Sequence, residues 1–166
     1  SVFEIIMLLH VKGSNKAVRK AVEQATWYFA ERLMGKRLMG SLELTINLKK
    51  NLLSKEGNEG SAIWDDDGIR PREFTIELDS TVKIRNLLIT LAHEMVHVKQ
   101  WAKDEMYEYT NKMGLVRFKG EKIHLGETEY WDYPWEIEAY GKQLGLFVRF
   151  CEHMGYEKCD NMKETA

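Results

Sequence analysis

A chain of 166 residues, 44% hydrophobic and 30% charged, is long enough for one domain with a sizeable core, and two prolines with no biased tract exclude wholesale disorder. A formal charge of -2 supplies no large field of either sign, so the balance calls for neither a nucleic-acid partner nor an anionic membrane surface. Cys151 and Cys159 are too few for a disulfide framework, the longest apolar run is far short of the roughly 20 residues that cross a bilayer, and no basic leader precedes it, so a cytoplasmic protein is expected.

In chain order, Ile5 to Leu9 with Val11 reads as a buried strand. Val18, Val22, Ala25, Phe29 and Leu33 then recur at helical spacing, with Ser14 placed to cap the start of a helix and Gly35 its end. Ser41 to Leu48 alternates Leu42, Leu44, Ile46 and Leu48 with polar residues, the period of a half-buried strand, and a polar loop with Gly57 and Gly60 follows. Ser61–Trp64 and Glu73–Leu78 read as two strands joined around Asp65-Asp66-Asp67-Gly68, because Asp-Gly favours a hairpin turn. A calcium loop is excluded there, since Ile63 stands where an EF-hand needs its first Asp.

Asp79, Ser80 and Thr81 offer N-caps to a long helix from about Val82 to Lys103. Met113 to Leu125 alternates like an irregular hairpin around Gly120, and Pro134, tolerated in a first turn, opens a second long helix to about Glu152. One domain over 1–159 with a frayed tail over 160–166 is expected.

The first long helix carries His93-Glu94-Met95-Val96-His97. Residues four apart on a helix share a face, with Cβ atoms about 5 to 6 Å apart, so two imidazoles can converge on one zinc ion. The Glu after the first His then projects to the open coordination position, where Glu94 can take a proton from water as general base. Leu87, Leu88, Ile89 and Leu91 precede the motif and place it in the interior.

A catalytic zinc needs a third protein ligand. No further His follows at the short metzincin spacing, so a carboxylate on a core-facing stripe is expected. Glu136 begins the stripe Tyr140, Leu144, Phe147 on the second long helix, whereas Glu138 begins a solvated one with Lys142, Gly145 and Arg149 and pairs with Lys142. Glu136 is the expected ligand and Glu138 the fallback.

With these residues in place the chain resembles the gluzincins: the H-E-x-x-H motif is followed some 40 residues later by Glu136-Ile137-Glu138-Ala139. Tyr130-Trp131-Asp132-Tyr133-Pro134-Trp135-Glu136 is similar to small SprT-like and phage-borne metallopeptidases, and the resemblance spans roughly residues 80 to 150. Gluzincins commonly carry Asp or Asn where Tyr140 stands. The resemblance implies an α+β, minimal zincin-like domain: an N-terminal helix, a small twisted mixed sheet whose edge strand lines the cleft, the motif helix, and a C-terminal helix bearing the third ligand. It also implies a zinc peptidase acting on peptide or protein substrates, with DNA-bound proteins as SprT-like targets. A non-catalytic zinc-stabilised module is the alternative.

Tyr130, Tyr133, Tyr140 and His124 are candidate donors to an oxyanion, and none is preferred. Trp101, Trp131 and Trp135 read as core or rim packing. Cys151, His153 and Cys159 lack a fourth ligand and the spacing of a common zinc module, and Lys16, Arg19, Lys20, Arg32, Lys36 and Arg37 read as a solvated basic face.

Overall fold

The computed structural model describes residues 6–66 and 68–164. The chain is α+β, as expected. Strands β1 (Leu8–Lys12), β2 (Glu43–Lys49), β3 (Gly60–Trp64) and β4 (Glu73–Asp79) form one sheet in the order β1-β2-β4-β3, with β1, β2 and β4 parallel and β3 antiparallel at the edge. The alternation of β2 buries Leu44, Ile46 and Leu48 and leaves Glu43, Thr45 and Asn47 half-buried; β4 repeats the pattern with Phe74, Ile76 and Leu78 inward. One face of the sheet is therefore apolar. Helices α1 (Lys16–Met39) and α3 (Ile84–Ala102) cover it, and α4 (Pro134–Met154) packs on α3 and α1, so that Val22, Phe29, Leu88, Leu91 and Phe150 are completely buried.

A second sheet, β5 (Met106–Glu108), β6 (Leu115–Phe118) and β7 (Glu121–His124), is an antiparallel meander. The expected hairpin around Gly120 is its β6–β7 turn, with Lys119 and Gly120 both at positive φ. β5 and the short helix α2 (Leu52–Glu56) have no counterpart in the sequence reading, since three to five residues are too few to show a period. No described helix is long and apolar enough to cross a membrane.

Several expected boundaries shift. β1 lies at a sheet edge, not in the interior: Met7 is buried but Leu8 is 56% exposed, because only one side of the edge strand is covered; Ile5 lies outside the described residues. Asn15, not Ser14, caps α1, its Oδ1 accepting from Val18 N–H at 2.9 Å, while Ser14 turns the chain at positive φ. Gly35 breaks α1 without ending it, and the helix closes at Gly40. β3 and β4 do pair, but across the loop 65–72 instead of a tight Asp-Gly turn: the Asp66 carboxylate accepts from the N–H groups of Arg72 and Glu73 and holds a wider loop, and Asp67 lies outside the described residues. The segment 160–162 forms a 3-10 turn with Met162 packed on the core.

Asp79 does not cap α3, which starts two residues beyond the expected Val82. Its carboxylate accepts instead from Leu53 N–H at 2.8 Å and from Thr81 N–H at 2.8 Å and Thr81 Oγ1 at 2.5 Å. Burial opposes its charge, yet these donors outweigh burial and hold the carboxyl below its usual range. Asp79 thereby ties α2 to the turn before α3. Asp79→Ala would strand two backbone N–H groups and is expected to cost about 2 to 3 kcal/mol; chemical denaturation measures it. With a lowered pKa, this contribution is complete above the ordinary carboxylate value and is lost as pH falls through the folded one.

Candidate metal centre

Every residue from Leu91 to Ala102 is buried, so the motif stretch of α3 runs through the interior. His93 and His97 stand one turn apart with ring centroids 4.9 Å apart, and their Nε2 atoms approach to 3.2 Å. Pro134 at the first turn of α4 starts that helix against α3, and the turn delivers Glu136 to the same point. Its Oε1 lies 3.2 Å from His93 Nε2 and 2.6 Å from His97 Nε2. The three side chains are only 8%, 8% and 7% exposed. They are the one group of three or more His, Cys, Asp or Glu among the described residues whose ligand atoms lie within 4.8 Å of one another.

Two glutamines orient the rings. Gln100 Nε2 donates to the Trp135 carbonyl at 3.0 Å and to Glu138 Oε1 at 2.8 Å, both of which only accept, so its Oε1 faces His97. His97 Nδ1, 2.8 Å from that oxygen, must therefore carry a proton. Gln143 Oε1 takes the same role at 2.8 Å from His93 Nδ1. In the neutral imidazoles both Nε2 lone pairs then point at each other and at the Glu136 carboxylate. Three acceptors facing one another away from water are unfavourable unless a cation lies among them. Ligand atoms of a tetrahedral ion bound at about 2.0 to 2.1 Å sit about 3.3 Å apart, close to the two 3.2 Å separations, and the 2.6 Å pair would open by about 0.7 Å on binding, so the two imidazoles and carboxylate are a donor set that zinc takes. Gln100→Ala would free the His97 ring and is expected to weaken metal binding about 10- to 100-fold, read by competition with a chelating dye.

The electrostatics agree with this grouping. Burial disfavours the charged form of Glu136, but hydrogen bonds with His93, His97 and Tyr130 outweigh it and hold the carboxyl far below the usual range. Burial likewise opposes a charge on His97, and the bond to Glu136, the charge of Glu94 and the bond to Gln100 raise its pKa nonetheless. Glu94 lines the same cleft; burial raises its pKa, against the pull of the two imidazoles. The cleft is bordered by Gly60 and Ser61 of β3 and by Thr90, Tyr130 and Tyr140. A Cβ on Gly60 would fall 2.7 Å from Thr90 Cγ2, so glycine lets β3 lie tight against α3 one turn before His93.

The structure brings together His93, Glu94, His97 and Glu136, and corrects the reasoning that chose Glu136. Tyr140 and Leu144 are exposed, not core-facing, because the stripe from Glu136 opens onto the cleft before Phe147 reaches the interior. Glu138 is not on a solvated face: it takes hydrogen bonds from Lys99 Nζ and Gln100 Nε2, each at 2.8 Å, with Lys142 only at 3.8 Å. It is thus a partner of the orienting glutamine, not a ligand. Lys99, 5% exposed, also pairs with Glu105 at 2.8 Å. Gln100 and Gln143 escaped the sequence reading, although their spacing from His97 and from Glu136 puts each on the motif-facing side of its helix.

Among the oxyanion candidates, Tyr133 donates to the Leu125 carbonyl at 3.1 Å and stacks on Trp135, and His124 is exposed on β7 away from the cleft. Tyr130 donates to Glu136 Oε2, with the Tyr140 hydroxyl 3.4 Å away. Trp101 and Trp135 are buried, while Trp131 is 68% exposed against Tyr130 and Tyr140. Cys151 is buried and Cys159 exposed, and neither joins a metal-binding group among the described residues. Comparisons with family models, curated proteins and solved structures return no match for this chain.

Proposed function

We propose that the protein is a zinc-dependent peptidase of the glutamate-type zincin class, akin to the SprT-like enzymes, in which His93, His97 and Glu136 hold one zinc ion and Glu94 is the general base. The observation that carries this reading is the convergence of three buried ligand atoms, 2.6 to 3.2 Å apart, in a cleft that Glu94 also lines. Bound zinc would supply Lewis acidity toward a scissile carbonyl and bring the pKa of water toward about 7.

The chain's own residues supply the rest. Glu94, raised by burial, takes a proton from the attacking water on its carboxylate and delivers it to the leaving amine nitrogen. Gln100 and Gln143 keep the imidazole Nε2 lone pairs aimed at the ion. Tyr140 places a hydroxyl at the cleft, where it can donate to charge developing on the carbonyl oxygen, while the Tyr130 hydroxyl is engaged with Glu136. β3 is the last strand of its sheet, so its outer edge offers unpaired main-chain groups beside the cleft to an extended substrate.

The test is metal content together with cleavage of unfolded casein. One zinc per chain is expected, with cleavage lost to a chelator and restored by zinc. A folded sample that holds no zinc overturns the reading. A zinc-loaded sample that never cleaves casein, with or without DNA, assigns the site to a non-catalytic zinc-stabilised module, and cleavage only with DNA assigns it to DNA-bound substrates.

A further inference from the structure

One turn beyond His97, a second cavity of about 180 Å³ lies among Trp64, Trp101, Met106 and Glu108, lined also by buried Pro71 and by exposed Ile69. Trp101 and Trp64 meet with ring centroids 5.3 Å apart, and the Trp101 ring stands 6.1 Å from that of His97, so the cavity adjoins the metal centre through the motif helix. It is also reached along β3: Gly60 borders the cleft and Trp64 this cavity, a span of about 13 Å at roughly 3.3 Å per residue.

Glu108 is the anomaly. In β5 it shares a face with buried Met106, and its cross-strand partner Val116 is buried too, so the strand sends a carboxylate to the apolar side of its sheet. No described donor or cation pairs with it, and burial pushes its carboxyl up, opposed only by the distant charge of His97. The indole Nε1–H of Trp101 is likewise buried without an acceptor. Glu108 is half-buried, and a partly desolvated carboxylate without a described partner, set beside aromatic faces, favours one kind of partner, a cation.

We propose that this cavity is a specificity subsite that binds the cationic side chain of a lysine or arginine lying within about four residues of the scissile bond of an extended substrate. The stem of the side chain packs on Trp64 and the edge of Trp101, and its charged head pairs with Glu108. Antiparallel addition to β3, the more stable pairing, places this residue on the N-terminal side of the bond, because β3 runs from the cleft toward the cavity. The assignment to a substrate rests on the peptidase reading; the affinity for a cation does not.

Binding is therefore measured apart from turnover. The zinc-loaded protein, labelled with 15N at the tryptophan indoles, is titrated with Nα-acetyl-arginine methylamide, the lysine analogue and the neutral norleucine analogue. The Trp101 indole signal is expected to shift, with at least one cationic probe binding about tenfold or more tightly than norleucine amide. Glu108→Gln, whose melting temperature should match or exceed the native value, should abolish that preference, and Trp64→Leu should weaken binding of the cations. Equal affinity for norleucine amide, or an unchanged preference in Glu108→Gln, overturns the subsite. Casein cleavage without a basic preference removes the subsite alone; cation binding without any cleavage removes the peptidase reading alone.

Discussion

Glu94→Gln is expected to lower kcat for peptide hydrolysis by about 10²- to 10⁴-fold, the range of general acid–base catalysis, while zinc content stays at one per chain. The amide keeps the size of the carboxyl and cannot take a proton from water. Because Glu94 is not among the three converging ligands, the metal set His93, His97 and Glu136 is left intact. Replacing a buried acid whose charged form is penalised should leave thermal stability equal or higher. Steady-state kinetics with a quenched fluorescent peptide, metal analysis and a melting curve on one preparation separate the outcomes. Activity within tenfold of native removes Glu94 from the proton-transfer role, and loss of zinc from the variant moves Glu94 into the ligand set.

Zinc itself carries the second large effect. If the site holds zinc as proposed, at free zinc about 1,000 times its Kd the folded chain is expected to gain about 4 kcal/mol, a rise in Tm of roughly 10 °C for a domain of this length. The gain should depend on pH with a definite sign. In the metal-free protein the close contact of His97 with Glu136, 2.6 Å apart, favours a protonated imidazole and an ionised carboxylate. His97 has a raised pKa, so its contribution is complete below 6.5, its unfolded value, and is lost as pH rises through the folded value. Glu136 has a lowered pKa, so its contribution is present above 4.5 and is lost as pH falls through the folded value.

The metal-free chain is thus stabilised by this pair most fully between 4.5 and 6.5 and less at alkaline pH. Zinc requires neutral imidazoles, so its binding strengthens as pH rises over the same interval where the proton leaves. The difference in Tm between zinc-loaded and metal-free protein should shrink as pH falls from about 8 to about 6. Scanning calorimetry across that range measures it. A difference independent of pH would mean that proton and ion do not compete for His97, and the proposed ligand set would fail.

Local signals and long-range ones divide clearly in this chain. The helix of His93 and His97, the alternation of β2, the pairing of β3 with β4, and the opening of α4 at Pro134 were all legible, because a period of 3.6 or 2 and a proline preference are written in adjacent residues. The motif also placed two imidazoles on one face before any tertiary contact was known. Glu136 was legible only by a partly mistaken route: its stripe was taken for a core face, whereas it leads into the cleft.

What the tertiary structure alone decided is the company each polar residue keeps. Glu136, Glu138 and Glu108 are alike by composition, yet α4 packing on α3 turns the first onto the imidazoles and the second onto Lys99 and Gln100, while β5 leaves the third on an apolar face. The separations in sequence, 43 residues from His93 to Glu136 and 38 from Gln100 to Glu138, exceed anything a local period can report. The amino-acid order alone determined which helix could bear a metal and which residue could act as its base. Which carboxylate joins them, and which glutamines hold the rings in place, depended on how two helices packed.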